Sequence, residues 1–391
     1  MKIFRNRFRT GVATLAALGA GLCAQAQIEP RSWVDSVARY GMERFLPADE
    51  YKWDWGQATL LNSVVHLYRE AAPDRRKPYL DYVRTAMDRT LPVANGKHPN
   101  AVASAHGMAF LAGVLKDPVY KEKTKAIYTD YLLAPRASNG GVSHRAETVE
   151  FWDDTIYMLG MFFFELYRQT GDERYIEAFM EQYYAHQQKL SDPKTGLWVH
   201  GWDADDEDYD DRCSQPGWPD RTTRRSHEVW GRGNGWIVMA LADGLNTVPR
   251  NSRHWKEMAG ELKRMVAVLP SLQDGETGMW YQLPLRAGEE GNFLESSCTA
   301  MFGYGMVLGM KYGVLKKKTY KPVVDRIYEG LRRHAMVREG GAYLAPDRVC
   351  LGTCIGDKEY YFKRKVGQGV NYAIGAYVMF GLEYEKFCGL R

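Results

Sequence analysis

The chain has 391 residues, 45% of them hydrophobic, with 52 Lys and Arg against 48 Asp and Glu, enough apolar matter for one large core or two modest ones. Its formal charge of +4 comes from the first 26 residues, which hold four basic and no acidic side chains. The neutral remainder gives no electrostatic case for nucleic acid, and no later apolar run approaches the length of a membrane span.

Lys2, Arg5, Arg7 and Arg9 precede an apolar run from Gly11 to Leu22, and Ala24-Gln25-Ala26 offers a small-x-small cleavage site. This predicts a signal peptide over residues 1–26, cut before Gln27, and export to the periplasm or beyond. Lipidation at Cys23 is the weaker alternative, because Leu22 stands where a small residue is expected.

Two kinds of helix then take turns. Trp33 to Phe45, Arg76 to Arg89, Tyr120 to Leu133, Glu173 to Leu190, His254 to Leu269 and Tyr320 to Met336 carry charge along one face. Ala58 to Tyr68, Ala101 to Leu115, Thr155 to Leu166, Trp236 to Leu245, Thr299 to Met310 and Val370 to Leu382 are apolar nearly all round and rich in Gly and Ala. A helix apolar on every side is buried on every side, whereas an amphipathic one faces water. Six of each in alternation predict an all-α fold, an (α/α)6 double-ring barrel in which residues 27–391 form one domain. A solenoid would show a short fixed period, and none is present. The segment Ser191 to Val229 exceeds an ordinary connection. It carries Trp198, His200, Trp202, an acidic run from Asp203 to Asp211 and Arg224-Arg225, and reads as a loop walling the mouth of the funnel.

Metal chemistry finds little support. The acidic run lacks the glycine and terminal Glu of a calcium loop. Cys213, Cys298, Cys350, Cys354 and Cys388 remain after cleavage; an odd number leaves one unpaired, and Cys350 and Cys354 are either a short disulfide or two thiols. No second Cys or His pair completes a zinc site. The expectation is no metal and no cofactor.

Two stretches carry chemistry. Trp230-Gly231-Arg232-Gly233-Asn234-Gly235-Trp236 sets one guanidinium between two indoles on a glycine-loosened backbone. Flat apolar faces suit a pyranose and a bidentate fork suits its carboxylate. The ordinary alternative is a helix-entry turn with two core tryptophans and a surface arginine. Phe151-Trp152-Asp153-Asp154-Thr155 opens the third inner helix. One Asp is expected to cap it. The other, Asp154, turns toward apolar neighbours such as Met158, where burial would raise its pKa toward neutrality and make it a proton donor.

Taken with Gly140-Gly141-Val142-Ser143-His144, Trp198-Val199-His200-Gly201, Gly278-Met279-Trp280-Tyr281-Gln282 and Leu294-Glu295-Ser296-Ser297, these motifs resemble the unsaturated uronyl hydrolases of glycoside hydrolase family 105, typified by unsaturated rhamnogalacturonyl hydrolases. The resemblance spans most of residues 27–391 and implies an (α/α)6 barrel. It also implies removal of a 4,5-unsaturated uronic acid, galacturonyl or glucuronyl, from the non-reducing end of lyase-generated oligosaccharides. An Asp protonates C4 of the enol ether, water adds at C5, and the hemiketal opens and expels the neighbouring sugar, so the two-carboxylate spacing rule of ordinary glycosidases does not apply. By motif position the acid is Asp154, with Asn100, His144, His200, Trp230, Arg232 and Trp236 binding substrate. Asn100 departs from the pattern: relatives place a second Asp there, and an amide holds water or a hydroxyl but exchanges no proton. His98 and His106 read as loop and core histidines. The rivals are a polysaccharide lyase or epimerase on the same barrel and a non-catalytic acidic-sugar-binding protein. The partner expected is an unsaturated acidic oligosaccharide; oligomeric state is left open.

Overall fold

The structure, a computed structural model, describes residues 32–205 and 213–391. The predicted signal peptide and most of the acidic run lie outside these residues. All twelve expected helices form, with ends moved by a few residues.

The inner helices are Trp55–Glu70, Ala105–Leu115 with the short turn Pro99–Ala103 ahead of it, Thr155–Thr170, Gly231–Leu245, Ser296–Lys311 and Asn371–Phe387. Each packs on the next, and the last returns to the first, so the ring closes. Every residue of Gly231–Leu245 is buried, which is why that helix shows no polar face. The outer helices Trp33–Arg39, Lys77–Thr90, Pro118–Leu132, Arg174–Leu190, Arg253–Val266 and Lys317–His334 lie against them. The first outer helix continues through Tyr40–Phe45 as a wider, π-type turn, and Ser104 interrupts the second inner helix.

Local chemistry sets the starts. Ser32, Asp54, Asp117, Ser252 and Glu295 each accept a hydrogen bond from a first-turn amide, supplying a partner that the helix itself cannot. At the other end of Thr155–Thr170, Gly171 takes the left-handed conformation that stops a helix.

Because outer and inner helices alternate along the chain, the six inner N-termini gather at one end. Ser104 Oγ reaches Asp54 O at 3.2 Å, and the rings of Trp55 and Tyr372 stack at 5.2 Å. Short two-stranded ribbons furnish this end. Glu150–Trp152 pairs antiparallel with Gly201–Asp203, Trp280–Tyr281 with Leu294–Glu295, and Val349–Cys350 with Val366–Gly367.

The cysteine expectation is corrected. Cys354 is bonded not to Cys350 but to Cys213, 141 residues away in sequence, while Cys298, Cys350 and Cys388 are free thiols. Neither long-range partner is legible in a four-residue spacing.

Candidate active site

The ribbon between Glu150–Trp152 and Gly201–Asp203 brings the stretch that carries Asp153 and Asp154 against the turn that carries His200. Asp153 N–H donates to His200 O at 2.9 Å, so His200 faces the start of the third inner helix. From the other side Asn234 clamps the same turn: its Oδ1 accepts from Trp198 N–H and its Nδ2 donates to Trp198 O, both at 2.8 Å. A side chain in the middle of the tryptophan–glycine heptapeptide thus fixes the backbone that carries His200. His200 Nε2 lies 3.3 Å from Asp154 Oδ2 and 3.9 Å from Asp153 Oδ1. The Tyr361 hydroxyl is 2.8 Å from Nδ1; with that hydroxyl donating, the neutral ring turns Nε2–H to Asp154.

Neither aspartate caps its helix. Asp154 occupies the cap position without a side-chain bond to the first turn, and both oxygens of Asp153 lack a hydrogen-bond partner. Gly233 explains where Asp153 goes, since a Cβ there would overlap its carboxyl group. The glycine is needed for close approach of a neighbouring side chain inside a helix, not for a turn. Gly235 works alike, with Met301 Sδ 2.7 Å from where its Cβ would stand.

Protonation also departs from expectation. Burial, with the charge of Asp154 alongside, pushes Asp153 well above the ordinary carboxylate range. Burial works in the same direction on Asp154, but His200 and His144 outweigh it and leave Asp154 at about 2. Burial lowers the pKa values of both histidines, so the polar Nε2–H edge of a neutral His200, not a full positive charge, faces Asp154. Of the two carboxyls Asp153 is thus the one with the higher proton affinity, and Asp154 the one that ionises first.

His144 lies against Asn100 and Thr155. Asn100 Nδ2 is 3.1 Å from His144 Nε2, and His144 Nδ1 is 2.9 Å from Thr155 Oγ1. The ring stacks on Trp152 with centroids 4.6 Å apart. Asn100 therefore orients His144, a role that its amide performs and a carboxylate would perform differently.

The Arg232 guanidinium is sandwiched, but between Trp230 and Tyr372, each 4.6 Å away, and not between two indoles. Trp236 instead stacks on Tyr157 at 5.1 Å, edge-on to Trp55. Arg232 is fully buried. Its Nη1 donates to Cys350 O at 2.7 Å, and its Nη2 points to Leu351 O at 3.2 Å and Thr353 Oγ1 at 3.3 Å. Glu295, whose carboxylate also takes the Cys298 and Cys350 amides, lies 3.6 Å from Nη1. The two-pronged edge expected to grip a substrate carboxylate is occupied by the chain itself, and Nε alone is without a partner.

Sequence reasoning overlooked Asp153 as the carboxyl of higher proton affinity, Asn234 as clamp, and Tyr361 and Tyr372 as the partners of His200 and Arg232. The last two sit in stretches without motif character, and only the fold brings them close. Asp153, Asp154 and His200 present potential ligand atoms within 4.8 Å of one another, yet a shared proton accounts for two neighbouring carboxyls as well as a cation would.

The sequence model described as Glycosyl Hydrolase Family 88 matches residues 31–388. The chain belongs to that family. This family 88 hydrolase is 26% identical over 342 residues to the unsaturated rhamnogalacturonyl hydrolase YesR of Bacillus subtilis, covering 83% of this chain and 88% of the relative. A family 105 glycoside hydrolase structure from C. acetobutylicum superposes with a TM-score of 0.79 at 21% identity, covering 90% of this chain and 99% of the other. The unsaturated glucuronyl hydrolase of Bacillus sp. GL1 superposes at 0.62 with 16% identity, covering 86% and 87%. The (α/α)6 barrel and the glycoside hydrolase class reached from the sequence are thereby upheld. Among the described residues no helix is long and apolar enough to cross a membrane.

Proposed function

We propose that this hydrolase removes a 4,5-unsaturated uronic acid from the non-reducing end of an oligosaccharide by hydrating its C4=C5 enol ether. The observation that carries the reading is the Asp153–Asp154–His200 cluster: two neighbouring buried carboxyls, Asp153 with the higher proton affinity, at the end of the barrel where six helix N-termini meet. Asp154, at 7% exposure against none for Asp153, is the member that reaches substrate. In the empty site Asp154 is ionised. An anionic sugar set beside it raises its proton affinity, as any like charge does, and draws a proton onto it. Asp154 then protonates C4, and the cation that develops at C5 takes up water, whose proton returns to Asp154. The hemiketal so formed opens to a ketone and releases the neighbouring sugar from C1.

In this reading His200, His144 and Asn100 hold the sugar's hydroxyls or the water, while the buried Trp230 and Trp236, expected to stack on the ring, instead pack against Arg232 and Tyr157 and support the site from behind. Arg232 contributes a fixed positive charge rather than a fork, joined by the partial positive charge of the helix ends, each worth some tenths of a kcal/mol near an anion. The relatives include an unsaturated rhamnogalacturonyl hydrolase and an unsaturated glucuronyl hydrolase, and the substrate class proposed here is the unsaturated uronate common to both. The disulfide supports export to an oxidising compartment.

The test follows the ultraviolet absorbance of the conjugated enol ether. With an unsaturated disaccharide the enzyme should bleach it. A rise on intact polysaccharide would instead show a lyase, and no change on either substrate would leave a binding protein.

A further inference from the structure

Residues 350–361 form a strap across the mouth, and three parts of the site hang on it. Its first carbonyl, Cys350 O, accepts from Arg232 Nη1 at 2.7 Å and from the Tyr372 hydroxyl at 2.6 Å. In its middle, Cys354 and Ile355 pack with Trp218 against Trp152, the ring on which His144 stacks. At its end, Tyr361 meets His200 Nδ1 at 2.8 Å. On its outer side the strap is tied to the loop that walls the mouth. Gln215 N–H donates to Ile355 O at 2.8 Å and Asp357 N–H to Gln215 Oε1 at 2.7 Å, but the covalent tie is Cys213–Cys354.

We infer that the Cys213–Cys354 disulfide is a positioning element for the reaction: it holds the strap where Tyr361 sets the tautomer of His200 and Cys350 O sets Arg232. Hydrogen bonds alone would leave the middle of the strap free to lift, and displacement of a reacting group by about 1 Å can cost as much as ~100-fold in rate. The bond joins two mouth segments rather than two barrel helices, so the helices keep their own packing without it. This inference rests on the reading of Asp154 and His200 given above.

The test pairs C213S/C354S with reduction of the folded wild type by a thiol reductant, counting two newly titratable thiols. Circular dichroism and thermal unfolding establish that the barrel persists. Turnover of an unsaturated disaccharide should fall about 10-fold or more in kcat/KM, with a displaced pH profile, because His200 loses the partner that fixes its protonated nitrogen. Reoxidation of the reduced wild type should restore both. A folded double variant, or a reduced wild type with both thiols titrated, whose kcat, KM and pH profile stay within twofold of the oxidised enzyme overturns the inference. If the variant does not fold, the reduced wild type decides. A wild type inactive on the disaccharide would sink the functional reading itself, whereas an active one indifferent to the disulfide sinks only this inference.

Discussion

Two clusters, one at each end of the barrel, handle charge in opposite ways. At the end where the inner helices finish, ions are matched. Arg69 meets Glu165, Lys311 meets Glu383 at 2.9 Å, Lys386 meets Glu70 at 2.6 Å, and Asp243 accepts from the Tyr304 hydroxyl at 2.5 Å. Cations sit where helix dipoles favour them. At the end where the helices begin, Asp153, one oxygen of Asp154 and His200 Nε2 are buried with no hydrogen bond. A buried polar atom without a partner costs about 1–3 kcal/mol, so a fold that keeps four together holds them for something that arrives from outside. On the proposed function the matched cluster stabilises the barrel and the unmatched cluster reacts.

Substitution at the two ends should separate these roles. Asp154→Asn is expected to lower kcat by ~10² to 10⁴, the usual worth of a general acid, with unfolding temperature and substrate affinity little changed. Asp243→Asn, the same exchange at the matched end, should leave kcat within a fewfold of wild type. If Asp153→Asn alone abolished turnover while Asp154→Asn did not, the roles of the pair would be reversed.

Arg232 tells a field from a fork. Arg232→Met should lose roughly 10- to 100-fold in kcat/KM, on the order of 1.4 to 2.7 kcal/mol of transition-state binding, together with most of the preference for an unsaturated uronate over its methyl ester. Arg232→Lys keeps the charge and should keep much of that preference, although it cannot serve both Cys350 O and Leu351 O. Equal loss of preference in the two variants would mean that the fork reads the carboxylate after all.

The matched end also contributes to the acid–base behaviour of stability. Burial raises Asp243 from 3.8 to about 6, so the folded state binds that proton more tightly than the unfolded one. Its contribution is full below pH 3.8 and is lost as pH rises through 6, about 3 kcal/mol at most. Denaturant titrations between those limits should show the decline, and Asp243→Asn should flatten it. A slope unchanged in the variant would place the titration elsewhere.

The smallest expected effect concerns the clamp under His200. Asn234→Ala strands the Trp198 amide and carbonyl and should cost about 1–3 kcal/mol, with a loss of activity greater than that of an alanine placed at Asn246, just past the end of the same helix.

Helix count, order and exposure were legible because burial writes itself into composition: the nearly all-apolar run from Trp236 to Leu245 has no other place than the inner ring. Asp154 and His200 were legible through their motifs, and the ribbon of Glu150–Trp152 with Gly201–Asp203 brings them together. What stayed hidden depends on segments far apart in sequence. The partner of Cys354 is 141 residues away, and the guanidinium of Arg232 is held by a strap more than a hundred residues downstream. The raised proton affinity of Asp153 follows from Gly233 making room for its carboxyl in a buried place, which no local pattern could announce.

The most direct measurement follows two signals in one reaction mixture, the enol-ether absorbance and the release of the neighbouring sugar. Hydration of C4=C5 must come first if Asp154 protonates carbon, so loss of absorbance should lead or match release at every time point in wild type, and both should vanish together in Asp154→Asn. Release that runs ahead of the absorbance change would mean direct attack at the glycosidic bond and would contradict the mechanism.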